Sequence, residues 1–143
     1  MKVKTKLIIV LLSVLFHSCG GHNPQNTDIA GVWRSSDGAS LRFEKDGKFY
    51  AANLPNGTMY FPEDEINKSR FSGAGTWLLQ KGQSNWEITL NFFKAKNLKT
   101  GYSTQIEIAG SRGLFDDSAP WYLFEWKDGE GSDRYVFQKK TNL

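Results

Sequence analysis

Cysteine occurs once in this chain of 143 residues, at position 19, and histidine twice, at 17 and 22. From Ile29 to Leu143 there is neither. That stretch therefore holds no Ser-His or Cys-His nucleophilic pair and lacks the usual ligands of a zinc site. A lone cysteine also forbids an intramolecular disulfide, so the fold must be held by its core. No G-x-S-x-G, P-loop, dinucleotide-binding or EF-hand motif is present. Internal repeats and amphipathic helical periodicity are absent as well, although Pro62–Lys68 suits one short turn of helix. The apolar run Leu7–Phe16 is interrupted only by Ser13. As a helix it would rise about 15 Å, roughly half the hydrocarbon thickness of a bilayer, which is too short to span one.

Those absences leave an N-terminus with a different meaning. Lys2, Lys4 and Lys6 precede the apolar run, the pattern of an export signal. The run ends at Phe16-His17-Ser18-Cys19-Gly20. Ser18-Cys19 resembles a bacterial lipoprotein signal, in which a small residue precedes a cysteine that is lipidated and becomes the mature N-terminus. The resemblance implies a signal peptide over 1–18, lipidation of Cys19 and anchoring to a membrane of the bacterial cell envelope, on its periplasmic or surface side. Gly20–Asp28 is polar and aperiodic, so 19–28 reads as a flexible tether. The whole chain carries 18 Lys+Arg against 15 Asp+Glu; removing the three signal lysines leaves 18 − 3 = 15 against 15. The remainder is formally neutral, which gives no support to a nucleic-acid partner.

Residues 29–143 are one domain's worth, and their pattern is all-β. In Trp86-Glu87-Ile88-Thr89-Leu90-Asn91-Phe92 apolar and polar residues alternate strictly, the mark of a strand with one buried face. Gly82-Gln83 suits a two-residue turn, which would set Lys81 opposite Ser84, Trp77 opposite Ile88 and Leu79 opposite Trp86. Lys45-Asp46-Gly47 suits a three-residue turn, which would set Phe43 against Phe49 and Leu41 against Ala51. Asn97–Gly101 and Asp128–Gly131 mark two further turns. Eight strands are expected, near 30–35, 39–44, 48–53, 74–80, 85–93, 102–109, 120–127 and 133–139. Sequential hairpins favour an eight-stranded up-and-down antiparallel barrel, because closure removes exposed edges. A two-sheet sandwich is the alternative.

Gly31-Val32-Trp33 at the start of the first strand resembles the G-x-W of lipocalins and lipocalin-like barrels. In those families the tryptophan closes the barrel floor under a basic residue from the last strand, for which Arg134 is the candidate. The resemblance implies a small barrel over 29–143, and the aromatic interior together with the long apolar loop at one end points to a hydrophobic small molecule bound in its mouth. Trp33, Trp77, Trp86 and the loop residues Met59, Tyr60 and Phe61 are the candidate ligand contacts. Trp33, Trp77, Trp86 and Phe92 can instead fill the interior outright. The 54–72 connection is long for a hairpin and apolar in part, so it is expected to fold over the barrel mouth, a ligand or a partner.

Strand seven admits a further reading. Pairing Trp126 with Tyr135 and Phe124 with Phe137 turns Tyr122, Phe124 and Trp126 inward. Trp121 and Leu123 would then form an outward apolar patch beside Arg134 and Val136, suited to a protein partner, and Glu125 would face outward beside a cation. This patch carries the alternative function, a protein-binding lipoprotein such as an inhibitor, an immunity factor or an envelope-assembly accessory. Asp116-Asp117 and Glu63-Asp64-Glu65 are the densest acidic groups and read as solvated turn residues. The domain is read as no enzyme, with neither metal nor cofactor.

Overall fold

A strand with alternating polarity buries only one face, so a set of them must curl until those faces enclose each other. The computed structural model, which describes residues 22–55, 70–95, 101–112, 117–127 and 133–141, has that form. After a single helical turn, α1 (Asn26–Ile29), come β1 (Gly31–Arg34), β2 (Ser40–Phe43), β3 (Lys48–Leu54) and β4 (Phe71–Lys81). They are followed by β5 (Trp86–Ala95), β6 (Tyr102–Arg112), β7 (Ser118–Trp126) and β8 (Arg134–Lys139). Each strand pairs antiparallel with the next and β8 pairs with β1, giving a closed, up-and-down, lipocalin-like barrel of eight strands. Inward positions alternate as the period requires: Leu41 and Phe43, Phe49 and Ala51, Ile88, Leu90 and Phe92, Ile106 and Ile108 are all buried. Residues 1–18, Cys19, Met59, Tyr60, Phe61, the acidic group 63–65, Asp116 and the turns at 97–100 and 128–131 lie outside the described residues.

Two hairpins show how turn chemistry sets register. Between β2 and β3, Phe43 faces Phe49 and Leu41 faces Ala51. Gly47 takes φ +84°, a conformation that a side chain would strain, and its N–H donates to the Glu44 carbonyl at 3.2 Å. Between β4 and β5 the expected two-residue turn is not formed. Lys81 faces Trp86, Leu79 faces Ile88 and Trp77 faces Leu90. The connection is Gly82–Asn85, closed by a 2.8 Å hydrogen bond from the Gly82 N–H to the Asn85 carbonyl. Gly82 is not among the positive-φ glycines, as a two-residue type II′ turn would require. Because the register moves by two residues, every side chain keeps its face.

Strand β7 is the larger correction. Trp126 pairs with Arg134, Phe124 with Val136 and Leu123 with Phe137, one residue away from the expected pairing. A slip of one inverts both faces. Trp121, Leu123 and Glu125 therefore point into the barrel, and Tyr122, Phe124 and Trp126 point out. Leu123 is fully buried in the core and Trp121 packs against it, so the outward Trp121/Leu123 patch does not exist. Glu125, expected outside beside a cation, is an interior residue only 8% exposed. What makes three outward aromatics acceptable is Arg134. Its Cζ sits 4.4 Å from the centroids of both Phe124 and Trp126, and Nη1 donates to the Tyr122 hydroxyl at 2.9 Å. The guanidinium covers the rings while keeping its charge in water.

This pairing makes Leu123 a core residue. Leu123→Ala is expected to cost about 3 kcal/mol in denaturant unfolding, as for a buried leucine. A loss of about 0.5 kcal/mol, the size typical of a surface site, would restore the outward assignment.

Candidate functional site

The two ends of the barrel differ in chemistry, and the difference follows from which residues each strand brings there. The end carrying α1 and the 44–47 and 82–85 turns is a packed floor. Trp33 donates its Nε1–H to the Ile29 carbonyl at 2.7 Å, tying β1 to α1. The cation over Trp33 is Lys139 and not Arg134. Lys139 is the residue paired with Trp33 across the β1–β8 seam, with its Nζ 5.7 Å from the ring centroid and donating to the Asp28 carbonyl. Trp77 packs edge-on to Phe43 at 5.4 Å and donates its Nε1–H to the Glu44 carbonyl at 2.9 Å. Trp86 is half-buried beside Pro24–Thr27. The three candidate tryptophans thus lie at the floor, and Trp33 and Trp77 have hydrogen-bond partners within the fold. The same packing corrects the tether reading of 19–28 in its last part, because Pro24 is buried and 26–28 belong to α1.

Above the floor, aromatic rings fill one side of the barrel. Phe43 and Phe49 lie 6.3 Å apart, Phe49 and Phe92 4.8 Å, and Phe92 and Phe71 6.1 Å. Gly75 allows this: a Cβ there would fall 1.9 Å from the Asn91 carbonyl oxygen and 2.8 Å from the Phe49 ring. The interior is therefore filled below Phe92.

The other end, the mouth, gathers the inward residues where β1, β3, β5 and β7 finish and β4, β6 and β8 begin. Leu54, Phe71, Phe92 and Tyr102 form an apolar wall. Facing it are polar groups. Tyr135 donates its hydroxyl proton to Asp37 Oδ1 at 2.6 Å and lies 3.0 Å from Ser35 Oγ. Ser35 Oγ also donates to Asp37, and Arg70 donates from Nη2 to Asp37 Oδ2 and from Nη1 to the Asn53 carbonyl, both at 2.8 Å. Glu125 sits directly opposite Tyr135 in the β7–β8 ladder. Outside the barrel a groove of about 730 Å³ runs from this network along β8, with Arg34, Pro55, Lys127 and Arg134 in its walls.

The electrostatics follow from these contacts. Burial pushes the Asp37 carboxyl up, but hydrogen bonds from Ser35, Tyr135, Arg70 and the Ala39 N–H outweigh it and hold the group well below the usual carboxylate range. Burial first, then the bond to Asp37, pushes the Tyr135 phenol up to about 12. At Tyr102 burial raises the pKa, a hydrogen bond with Thr104 opposes it, and the Glu125 charge adds to the rise. An aspartate held so firmly ionised is a weak base, and its donors are already spent on it, so the arrangement suits binding better than proton transfer. Among the described residues no cluster of three or more His, Cys, Asp or Glu is placed to hold a metal ion, and Asp117 is exposed.

Reading the chain alone missed Asp37, Arg70, Tyr135 and the inward face of Glu125. Asp37 and Tyr135 are 98 residues apart and meet only because β8 closes on β1. The available signal was the Asp37-Gly38 turn at the end of β1, combined with the inward parity of Tyr135.

The network predicts a pH dependence. A folded pKa below the unfolded one contributes stability that is present above the unfolded value, near 3.8, and is lost as pH falls through the folded value. Asp37→Asn is therefore expected to lose about 1 kcal/mol at pH 7, a modest figure because solvent screens this partly exposed network. Measured by urea unfolding across pH, the gap between wild type and variant should close on acidification below about pH 4. A gap independent of pH would remove the charge from the account.

No protein-family model matches this chain, and neither a curated protein nor a solved structure matches it.

Proposed function

We propose that this protein is a non-catalytic lipoprotein of a bacterial envelope whose barrel binds a small hydrophobic molecule at its mouth. The observation that carries the proposal is the mouth itself, where an apolar wall of Leu54, Phe71, Phe92 and Tyr102 faces the buried carboxylate of Glu125 and the hydroxyl of Tyr135. Ligand pockets typically combine mostly apolar walls with a few convergent polar groups that fix orientation. With the lower barrel filled by Phe43, Phe49 and Trp77, the ligand is a compact one held in the upper part. A hydrogen-bond donor on it would be recognised by Glu125. The lipoprotein half of the proposal is supported by Ser18-Cys19 behind a basic and apolar leader. A protein-binding role resting on Trp121 and Leu123 has lost its residues, since both face the core.

Native mass spectrometry of protein taken from cells should show the chain with one extra small molecule. Glu125→Gln should lower its occupancy about tenfold, the effect of losing one charge-assisted hydrogen bond. Wild-type protein that carries no extra mass and fails to bind the neutral apolar dye N-phenyl-1-naphthylamine would sink the ligand reading.

The anchor is tested separately. Cys19→Ser should abolish lipid attachment and prevent cleavage at the Ser18–Cys19 bond, and so change the fractionation of the protein strongly, because the several acyl chains of a lipoprotein anchor stably where one chain does not. The Tm of the barrel should stay unchanged, since no disulfide is lost. An N-terminal peptide of wild-type protein without a lipid mass would end that assignment.

A further inference from the structure

The floor end holds a pocket that the mouth reading does not use. Strand β6 bulges between Gly110 and Arg112, where a Cβ on Gly110 would lie 2.1 Å from the Ser118 carbonyl oxygen. Across the seam, β1 and β8 share only the Trp33–Lys139 and Arg34–Gln138 pairs. Between the start of β7, the end of β8 and α1 lies a recess of about 670 Å³, within the size range of small-molecule sites. Trp33, Trp121 and Tyr122 supply its aromatic walls, and Lys139 and Lys140 line it as well.

Three observations give the recess a chemical preference. The Trp121 Nε1–H is buried and has no hydrogen-bond acceptor, a rare state for a buried indole donor. Lys140 has no ion-pair partner among the described residues, and Lys139 bonds a neutral carbonyl, so neither ammonium of the recess is paired with a carboxylate. Desolvation lowers the Lys139 pKa, and the nearby charge of Asp28 opposes that shift without overcoming it. The one acid lining the recess, Asp28, spends its carboxylate on the Gln25 N–H at 2.8 Å, with His22 Nε2 3.8 Å away. Aromatic walls, two cations and an orphan donor are complementary to one kind of molecule.

We propose that this recess is a second binding site, for a small amphiphile with an apolar body and a single anionic head, a carboxylate or a phosphate ester. The body lies on Trp121 and Tyr122, the head lies between Lys139 and Lys140, and one of its oxygens accepts the Trp121 Nε1–H. The site is at the end of the barrel opposite Glu125 and stands or falls independently of the mouth ligand.

The test uses the full chain and octyl phosphate, followed by the indole N–H signals of the five tryptophans. The signal lost in Trp121→Phe identifies Trp121. Octyl phosphate should move that signal downfield and saturably, and octanoate should do the same. Octanol, without the charge, and inorganic phosphate, without the apolar body, should each bind at least about tenfold more weakly. Lys140→Glu and Lys139→Gln should weaken octyl phosphate by a similar factor. Should Lys139→Gln lose its dispersed spectrum, Lys140→Glu decides, since that side chain is exposed and its loss leaves the fold intact. A Trp121 signal that does not respond, octanol binding as well as octyl phosphate, or unchanged affinity in the lysine variants would overturn the proposal.

Discussion

The barrel is closed by its shortest seam. β1 contributes four residues, of which only Trp33 and Arg34 pair with β8, and so few ladder bonds are a weak clasp for a sheet of this size. Side chains at both ends of the seam reinforce it. At the floor, Trp33 bonds back to α1 while Lys139 lies over its ring and bonds α1 as well. At the mouth, the Tyr135 hydroxyl reaches across to Ser35 and Asp37, which Arg70 holds from the β4 side. Tyr135 keeps the inward parity legible in β8, and the parity of β7 is fixed by the ladders on both its sides, which set Leu123 beside Ile108 and Phe137.

That parity explains the placement of charge. Once Leu123 faces Phe137 inside, Glu125 has no choice but to enter the barrel, and the three aromatics of β7 must leave it. Each consequence has a local remedy. Arg134 lies over two of the expelled rings, so that Phe124 is 1% exposed although it sits on the outer face. Glu125 comes to rest at the mouth, where Tyr102 and Tyr135 stand nearby and water is closest. A buried carboxylate is costly in a filled apolar core, and the mouth is where a barrel tolerates one. The polar character of the candidate site thus follows from the parity of β7 together with the closing of the seam by Tyr135.

The filled lower half restricts what such a barrel can do. The T-shaped contacts of Phe43 with Trp77 and Phe49 with Phe92 occupy the volume that a wider barrel would leave for a ligand. Binding chemistry is displaced to the two ends. One is the mouth, lined by groups the seam brings together, and the other is the recess at the floor, between the start of β7, the end of β8 and α1. The ends also differ in charge, carboxylate at the mouth and ammonium at the floor, so they suit different molecules.

Much of this architecture was legible in the chain by itself. Strict alternation in Trp86–Phe92, turn chemistry at Lys45-Asp46-Gly47 and eight strand-length segments specify an all-β barrel, because a period of two and the φ of a glycine are local properties. The β4–β5 error was harmless for the same reason, since a shift of two residues changes partners and leaves faces alone. The β7–β8 pairing was not legible. Tyr122, Phe124 and Trp126 form the larger apolar set, and burying the larger set is the sound local choice. It lost because the pairing of Leu123 with the buried Ile108 on β6 sets the parity of β7, and because one arginine can shield two outward rings. Local pattern determined which residues alternate; only pairing within the closed sheet decided which set of β7 faces in, since that depends on contacts with both neighbouring strands that no window of sequence contains.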